Sequence, residues 1–321
     1  MSVSRESQNE LLLRRLTIVS HDEDVGARVD DFLAKNFPFL TRSKWQKRID
    51  EGELMVGGRK VKSSYRLRHL DPLDFLHKVS KEPVVNSDVA PFWKQGKLMA
   101  FYKPPNLPMH ENGPYKRNTF NHIVKSTFGE KWSFVHRLDK ETSGIVICGS
   151  ESGVRRTLSK AWQRGEVQKE YLAICRGVAE EDFWIEQGAI GSLVGSPIRI
   201  KKWVVEGGLP SETHFHVIER TENHTLIKAE PKTGRTNQIR IHLAFKGLPI
   251  VGDKLYHDDE NVFLEYWDKG STENVIRQAG HFRLALHASR LTFSHPETRE
   301  SCYLGYDLPE DLVDLWESLS R

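Results

Sequence analysis

Apolar residues recur along this chain with two different periods, and the change of period divides it. Val29, Phe32 and Leu33 fall at helical spacing. Pro38 breaks that run, and Thr41 is a good N-cap for a second helix over 42–51, in which Trp45 and Ile49 stand four apart before Gly52. Leu54-Met55-Val56, Gly57-Gly58 and Arg59-Lys60-Val61 then read as a hairpin about a glycine turn. Residues 1–24 are polar and mixed in charge, and read as a tail with one short strand at 16–19. A stretch rich in Pro, Ser, Asn and Lys follows at 79–91 and reads as a linker. The predicted organisation is a tail (1–24), a small domain (25–78), the linker, and a large domain (92–321).

The large domain alternates strand and helix patterns. A strand over 97–103 stops at Pro104-Pro105. A helix over 119–128 is closed by Gly129. Ile145-Val146-Ile147-Cys148 has the unbroken β-branched character of a strand buried on both faces. A helix over 153–164 and a strand over 169–175 come next, then several strands within 182–230. Gly234 and Thr236 mark a turn into a helix whose apolar side is expected to be Ile239, Leu243 and Phe245, with Asn237, Arg240 and Lys246 elsewhere on it. Residues 257–280 are charged and read as a surface loop or short helix.

Composition changes this picture little. At 38% hydrophobic and 28% charged, 321 residues make an ordinary globular chain with room for more than one domain. The three cysteines form no CxxC pair; Cys148 and Cys175 sit in apolar runs as buried thiols. No apolar window is long enough to span a bilayer, and Leu11-Leu12-Leu13 runs straight into Arg14-Arg15, unlike a signal-peptide core. A reduced, cytoplasmic protein is expected. The net charge is only +3, but it is unevenly spread. Nine basic residues (Arg42, Lys44, Lys47, Arg48, Arg59, Lys60, Lys62, Arg66, Arg68) face three acidic ones (Asp50, Glu51, Glu53) between 42 and 68. A basic helix beside a basic hairpin suits a phosphate backbone; the plainer reading is a solvated charged face.

The candidate chemistry lies just before the buried strand, in Val135-His136-Arg137-Leu138-Asp139-Lys140-Glu141-Thr142-Ser143-Gly144. An Asp on a loop between Arg137 and Lys140 can be held ionised by those cations. Alternatively it caps a local backbone donor in a charged turn. The wording of the segment resembles the signature of RluA-type pseudouridine synthases, whose catalytic residue is this Asp. Two further blocks agree. Lys169-Glu170-Tyr171-Leu172-Ala173 resembles the setting of that family's active-site tyrosine. Thr233-Gly234-Arg235-Thr236-Asn237-Gln238-Ile239-Arg240-Ile241-His242 resembles its Thr-Gly-Arg-Thr-x-Gln-Ile-Arg-x-His motif, with Asn237 where His is common. Asn cannot titrate near neutrality, so a proton-transfer role at 237 is not expected. Lys103-Pro104-Pro105 resembles the lysine-proline motif that opens the catalytic domain, a loop stiffener; His110 and His287 read as structural. The 28–75 segment resembles the small RNA-binding domain first known in ribosomal protein S4.

The resemblance implies an α+β catalytic domain: a mixed, mostly antiparallel sheet with flanking helices and a cleft across its middle. It implies isomerisation of uridine to pseudouridine in structured RNA, which needs no metal, nucleotide or redox cofactor. No P-loop, GxGxxG or metal-ligand spacing occurs in the chain. In this reading Asp139 is nucleophile or base at the anomeric carbon, Arg240 orients it, and Tyr171 meets the turned base. Arg137 fills the gap left when the uridine is flipped from its helix. Arg42, Lys44, Lys47, Arg48, Arg59 and Lys60 contact the RNA backbone. Large-subunit ribosomal RNA is the favoured partner and transfer RNA the alternative, with the chain acting as a monomer. Two other classes stand beside this: a hydrolase pairing Asp139 with Glu141, and a non-catalytic RNA-binding relative.

Overall fold

The structure, a computed structural model, describes residues 12–37, 41–79, 82–198 and 200–321. The first eleven residues and the expected Pro38 helix break lie outside these. The chain divides into two compact units between Glu82 and Pro83.

The smaller unit comprises β1 (Leu12–Val19), α1 (Val29–Asn36), α2 (Arg42–Asp50), β2 (Leu54–Val56), β3 (Arg59–Lys60) and β4 (Pro72–Val79). The strands form an antiparallel sheet in the order β1-β4-β2-β3. Pairing of β1 with β4 over its full length corrects the expectation of a tail: 12–19 belongs to the sheet. Val29, Leu33, Trp45, Ile49, Leu54, Leu67 and Leu73 make one buried cluster. The helices are also tied by a buried carboxylate. Asp30 accepts hydrogen bonds from Arg28, Arg42 and Gln46. Burial pushes its carboxyl up, but those three donors together hold it well below the usual carboxylate range. A depressed folded-state pKa adds stability that is complete above the unfolded value of about 3.9 and lost as pH falls below it. Asp30→Asn is therefore expected to destabilise this unit by ~2 kcal/mol near neutrality and to remove part of its acid sensitivity. Amide hydrogen exchange across α1 and α2 at pH 7 and pH 3 reads both effects; equal protection in variant and parent at both would refute the assignment.

The larger unit contains β5 (Pro91–Gln95), β6 (Leu98–Lys103), α3 (Phe120–Phe128), β7 (Ser133–Phe134), β8 (Ser143–Gly149), α4 (Ser152–Gln163), β9 (Gln168–Arg176) and β10 (Phe183–Glu186). It continues through β11 (Ile190–Ser192), β12 (Lys202–Val204), β13 (Thr213–Arg220), β14 (His224–Pro231), α5 (Gln238–Phe245), α6 (Glu260–Lys269) and α7 (Glu273–Ala279). It ends with β15 (Leu286–Ser294), β16 (Ser301–Gly305) and α8 (Glu310–Leu319). Among the described residues the main sheet runs β10-β13-β14-β9-β15-β8-β6-β5, with β16 beside β15 and β7 beside β8. β11 and β12 pair separately. The architecture is α+β, as expected.

β8 is buried at every position, which explains its unbroken apolar run. Val146 and Cys148 pack on the side of α3, with Phe120 and Val124. Ile145 and Ile147 pack on the side of α4, with Val154 and Leu158. β8 meets β15 in parallel for only two residue pairs, while every other pairing in the main sheet is antiparallel. At that junction Gly144 has φ +125°, and a Cβ there would run into the backbone of Ala288. The loop of the first motif therefore ends at the parallel junction of the sheet, where two backbones approach closely.

Two expectations change. Phe245 is half-exposed at the end of α5, and Ile241 is buried in its place. α5 lies between two apolar clusters: Ile239 and Leu243 join the sheet's core, while Ile241 joins Ile190, Ile198, Leu255 and Phe263. Of the surface loop or short helix expected over 257–280, the structure has helix, α6 and α7, but not wholly at the surface, because they bury Val262, Phe263, Val275 and Ala279.

Candidate active site

The Asp139 loop connects β7 to β8 and is fixed from several sides. At its start the His136 ring stacks on Trp162, centroids 3.9 Å apart, and its Nε2 accepts the Ile147 N–H. Burial pulls that imidazole down to about 3, so it stays neutral. Below the loop Lys103 is fully buried, and its ammonium donates to the carbonyls of Pro104, Leu107 and Lys140 at 2.8–3.0 Å. The lysine of the lysine-proline motif thus ties that loop to the Asp139 loop. Burial lowers its pKa to about 7, against the pull of Asp139. At the far end Ser143 Oγ donates to His287 Nδ1, while His287 Nε2 donates to the Tyr306 carbonyl. His287 is a buried structural histidine.

Glu141 is not a second catalytic carboxylate. It accepts from Lys254 Nζ at 2.8 Å, the Leu284 N–H at 3.0 Å and the Tyr266 hydroxyl at 3.2 Å. Tyr266 comes from α6, so the 257–280 segment braces the Asp139 loop.

Asp139 itself is one-third exposed, and its Oδ2 accepts from Arg240 Nη1 at 3.1 Å. Arg240 is oriented by three further groups. Its Nε and Nη2 pair bidentately with Asp253 at 2.7 and 2.8 Å, its Nη1 also donates to Asn237 Oδ1 at 3.1 Å, and the guanidinium sits 5.0 Å from the Tyr256 ring centre. Asn237 holds the left-handed conformation, φ +58°, at the N-cap of α5, and donates through Nδ2 to Tyr256. Asp253 is 1% exposed and accepts the backbone N–H groups of Leu255 and Tyr256. Burial alone would raise its carboxyl; Arg240 and the two N–H groups hold it below the ordinary range. Gly252 precedes it with φ +79°, where any Cβ would collide with the Arg283 carbonyl. Asp253 was not singled out from the sequence. The available signal was an acid directly after an apolar run and a glycine, since a buried carboxylate requires a cation.

Tyr171 lies on β9, opposite Ala229 of β14 and Ala288 of β15. Burial, with the negative Asp139 beside it, pushes its phenol up, so the hydroxyl stays protonated. Arg137, Asp139, Tyr171 and Arg240 line one cleft of about 400 Å³ together with residues of the 231–237 loop.

The small unit's basic residues divide. Arg42 pairs with Asp30 and Asp31, and Arg48 with Glu53 at 2.7 Å. Lys44, Lys47, Arg59 and Lys60 are exposed, Lys47 standing 3.9 Å from Glu51.

A carboxylate paired with a doubly anchored arginine, with a protonated tyrosine in the same cleft on a mixed sheet, suits acid-base or nucleophilic chemistry. Comparison with known proteins says which. The RNA pseudouridylate synthase family model matches residues 97–245, and the S4 domain model residues 27–71. Ribosomal large subunit pseudouridine synthase C of Haemophilus ducreyi is 31% identical over 93% of both chains. An uncharacterized RNA pseudouridine synthase of Aquifex aeolicus is 32% identical over 92% of this chain and 94% of its own. In fold, human RNA pseudouridylate synthase domain containing 1 superposes with a TM-score of 0.56 at 21% identity, covering 74% of this chain and 97% of that one. The chain belongs to the RNA pseudouridylate synthase family, and its reaction is the isomerisation of uridine to pseudouridine.

Proposed function

We propose that this enzyme modifies large-subunit ribosomal RNA, with Asp139, Arg240 and Tyr171 as its catalytic group. The observation that carries the assignment is the Asp253–Arg240–Asp139 chain. A buried carboxylate fixes the guanidinium, and the guanidinium holds one oxygen of Asp139. Among the described residues no hydrogen bond engages Asp139 Oδ1, which leaves it for the anomeric centre. The carboxylate acts there as nucleophile or as base. The detached uracil must turn before carbon 5 bonds to the sugar, and the Tyr171 ring and protonated hydroxyl supply a surface and a donor for it. Arg137, exposed at the cleft rim, takes the space the flipped uridine leaves. All these groups come from one chain, which supports action as a monomer. Ribosomal RNA as substrate is supported by the names of the bacterial relatives and by the S4 domain, and it agrees with a cytoplasmic location. Among the described residues no helix is long and apolar enough to cross a membrane.

The test is pseudouridine mapping of total RNA with and without the gene, and with Asp139→Asn in its place. A site in large-subunit ribosomal RNA lost in both strains is expected. Loss confined to transfer RNA would overturn the target, and no loss anywhere would overturn the activity. Within the small unit, Lys44 and Lys47 are expected to carry more of the backbone contact than Arg42 and Arg48, which are already ion-paired. Lys44→Gln with Lys47→Gln is expected to flatten the log–log salt dependence of RNA binding by ~1.5, at about 0.7 to 0.9 per phosphate contact. Arg48→Gln alone should change it by much less. Titrations of binding against potassium chloride decide; an unchanged slope in the double variant would make this a solvated surface only.

A further inference from the structure

The described chain buries four lysines: Lys103, Lys169, Lys201 and Lys254. Three are satisfied. Lys103 donates to three carbonyls, Lys201 pairs with Glu260 at 2.7 Å, and Lys254 pairs with Glu141 and donates to the Phe282 carbonyl. Lys169 differs. It is 6% exposed, and its ammonium makes one long hydrogen bond, 3.3 Å, to the Thr233 carbonyl. Among the described residues no carboxylate lies within ion-pair distance of it. An ammonium has three donors, so two remain unused, and this one lines the catalytic cleft. A buried cation without a counter-ion is costly, and among the described residues only the Thr233 carbonyl offsets part of that cost. Burial, with Lys232 nearby, draws its pKa down to about 8, as an uncompensated charge requires.

We propose that Lys169 binds a phosphodiester of the RNA strand next to the target uridine. The inference rests on the reading that the uridine docks at Asp139. Lys169 stands two residues before Tyr171 on β9, hence on the same face of the sheet and about 6.8 Å along it. That is within the reach of one nucleotide from a base held against Tyr171. Uracil and ribose are neutral, so the only anion RNA can bring to this place is phosphate. The rest of the lining is complementary: Arg235, exposed on the 231–237 loop, and Arg137, exposed on the Asp139 loop, line the same cleft. Asp139 does not compete for Lys169, because it is already paired with Arg240. A phosphate seated here would replace the missing counter-ion and orient the strand before chemistry.

The experiment uses the full chain and a synthetic RNA hairpin carrying the uridine identified by mapping. One phosphodiester at a time is replaced by an uncharged methylphosphonate. In the wild type, neutralising one linkage adjacent to the target is expected to weaken binding about tenfold, the scale of a single charge-assisted contact. Lys169→Met should weaken binding of the unmodified hairpin to a similar extent and become indifferent at that linkage, while other linkages keep their effects. Lys169→Arg keeps the charge and should keep the sensitivity. With its uncompensated ammonium gone, the Lys169→Met apoprotein should melt no lower than the wild type. The proposal is overturned if no flanking linkage matters in the wild type, or if Lys169→Met retains the wild-type linkage profile. It is also overturned if Lys169→Met melts lower while Lys169→Arg loses the sensitivity, since Lys169 then only tethers the 231–237 loop. A hairpin that the wild type binds but does not convert fails the functional reading instead, and the two failures are thereby separated.

Discussion

Asp139→Asn is expected to lower pseudouridine formation by at least ~10³-fold while leaving RNA affinity within a few-fold. The substitution changes charge with almost no change of shape. The amide oxygen can still accept from Arg240 Nη1, so the loop, pinned by Lys103, His136 and Glu141, keeps its place. What is lost is the anionic oxygen facing the sugar. Single-turnover conversion of a ribosomal RNA fragment, with binding measured separately, gives both quantities. Turnover above a few per cent of wild type would place the catalytic residue elsewhere.

The second large effect is at Arg240. Arg240→Met is expected to reduce turnover by ~10²-fold or more and to destabilise the fold by about 3–5 kcal/mol, because it leaves Asp253 buried with only two backbone donors. The two losses have different origins and can be separated. Adding Asp253→Asn removes the orphaned charge while its amide oxygen still accepts the Leu255 and Tyr256 N–H groups, and neutralising both members of a buried ion pair is often close to neutral. The double variant should recover most of the thermal stability and none of the turnover. If activity returned along with stability, Arg240 would be a fold element, and Asp139 would need no orienting cation.

The extent to which the chain could be read in advance follows the range of the interactions involved. The buried strand at β8 was legible because burial on both faces writes an unbroken apolar run. α2 and the hairpin after it were legible because capping and glycine-turn chemistry are local. Asp139, Tyr171 and Arg240 were singled out through motif resemblance, not periodicity. Nothing local in an exposed-looking Asp, a strand Tyr and a helix Arg says that they meet.

Tertiary structure decided the rest. Asp139 and Arg240 are 101 residues apart, and only the order β9-β15-β8 with α5 beside it brings them to 3.1 Å. Glu141 looked like a possible second carboxylate until Lys254, Leu284 and Tyr266, all more than 100 residues away, proved to occupy it. Arg42 and Arg48 count equally with Lys44 in a tally of charge, yet each is ion-paired, with Asp30 and Asp31 and with Glu53. Phe245 satisfied the helical period and still stayed half-exposed, because α5 is buried on two sides and its end is not. In the sequence, then, lay the elements, the reaction class and the three residues to test. Which charges are free to act and which are already paired is a property of side chains far apart in the chain, since an ion pair is set by distance in space and leaves no periodic trace along the backbone.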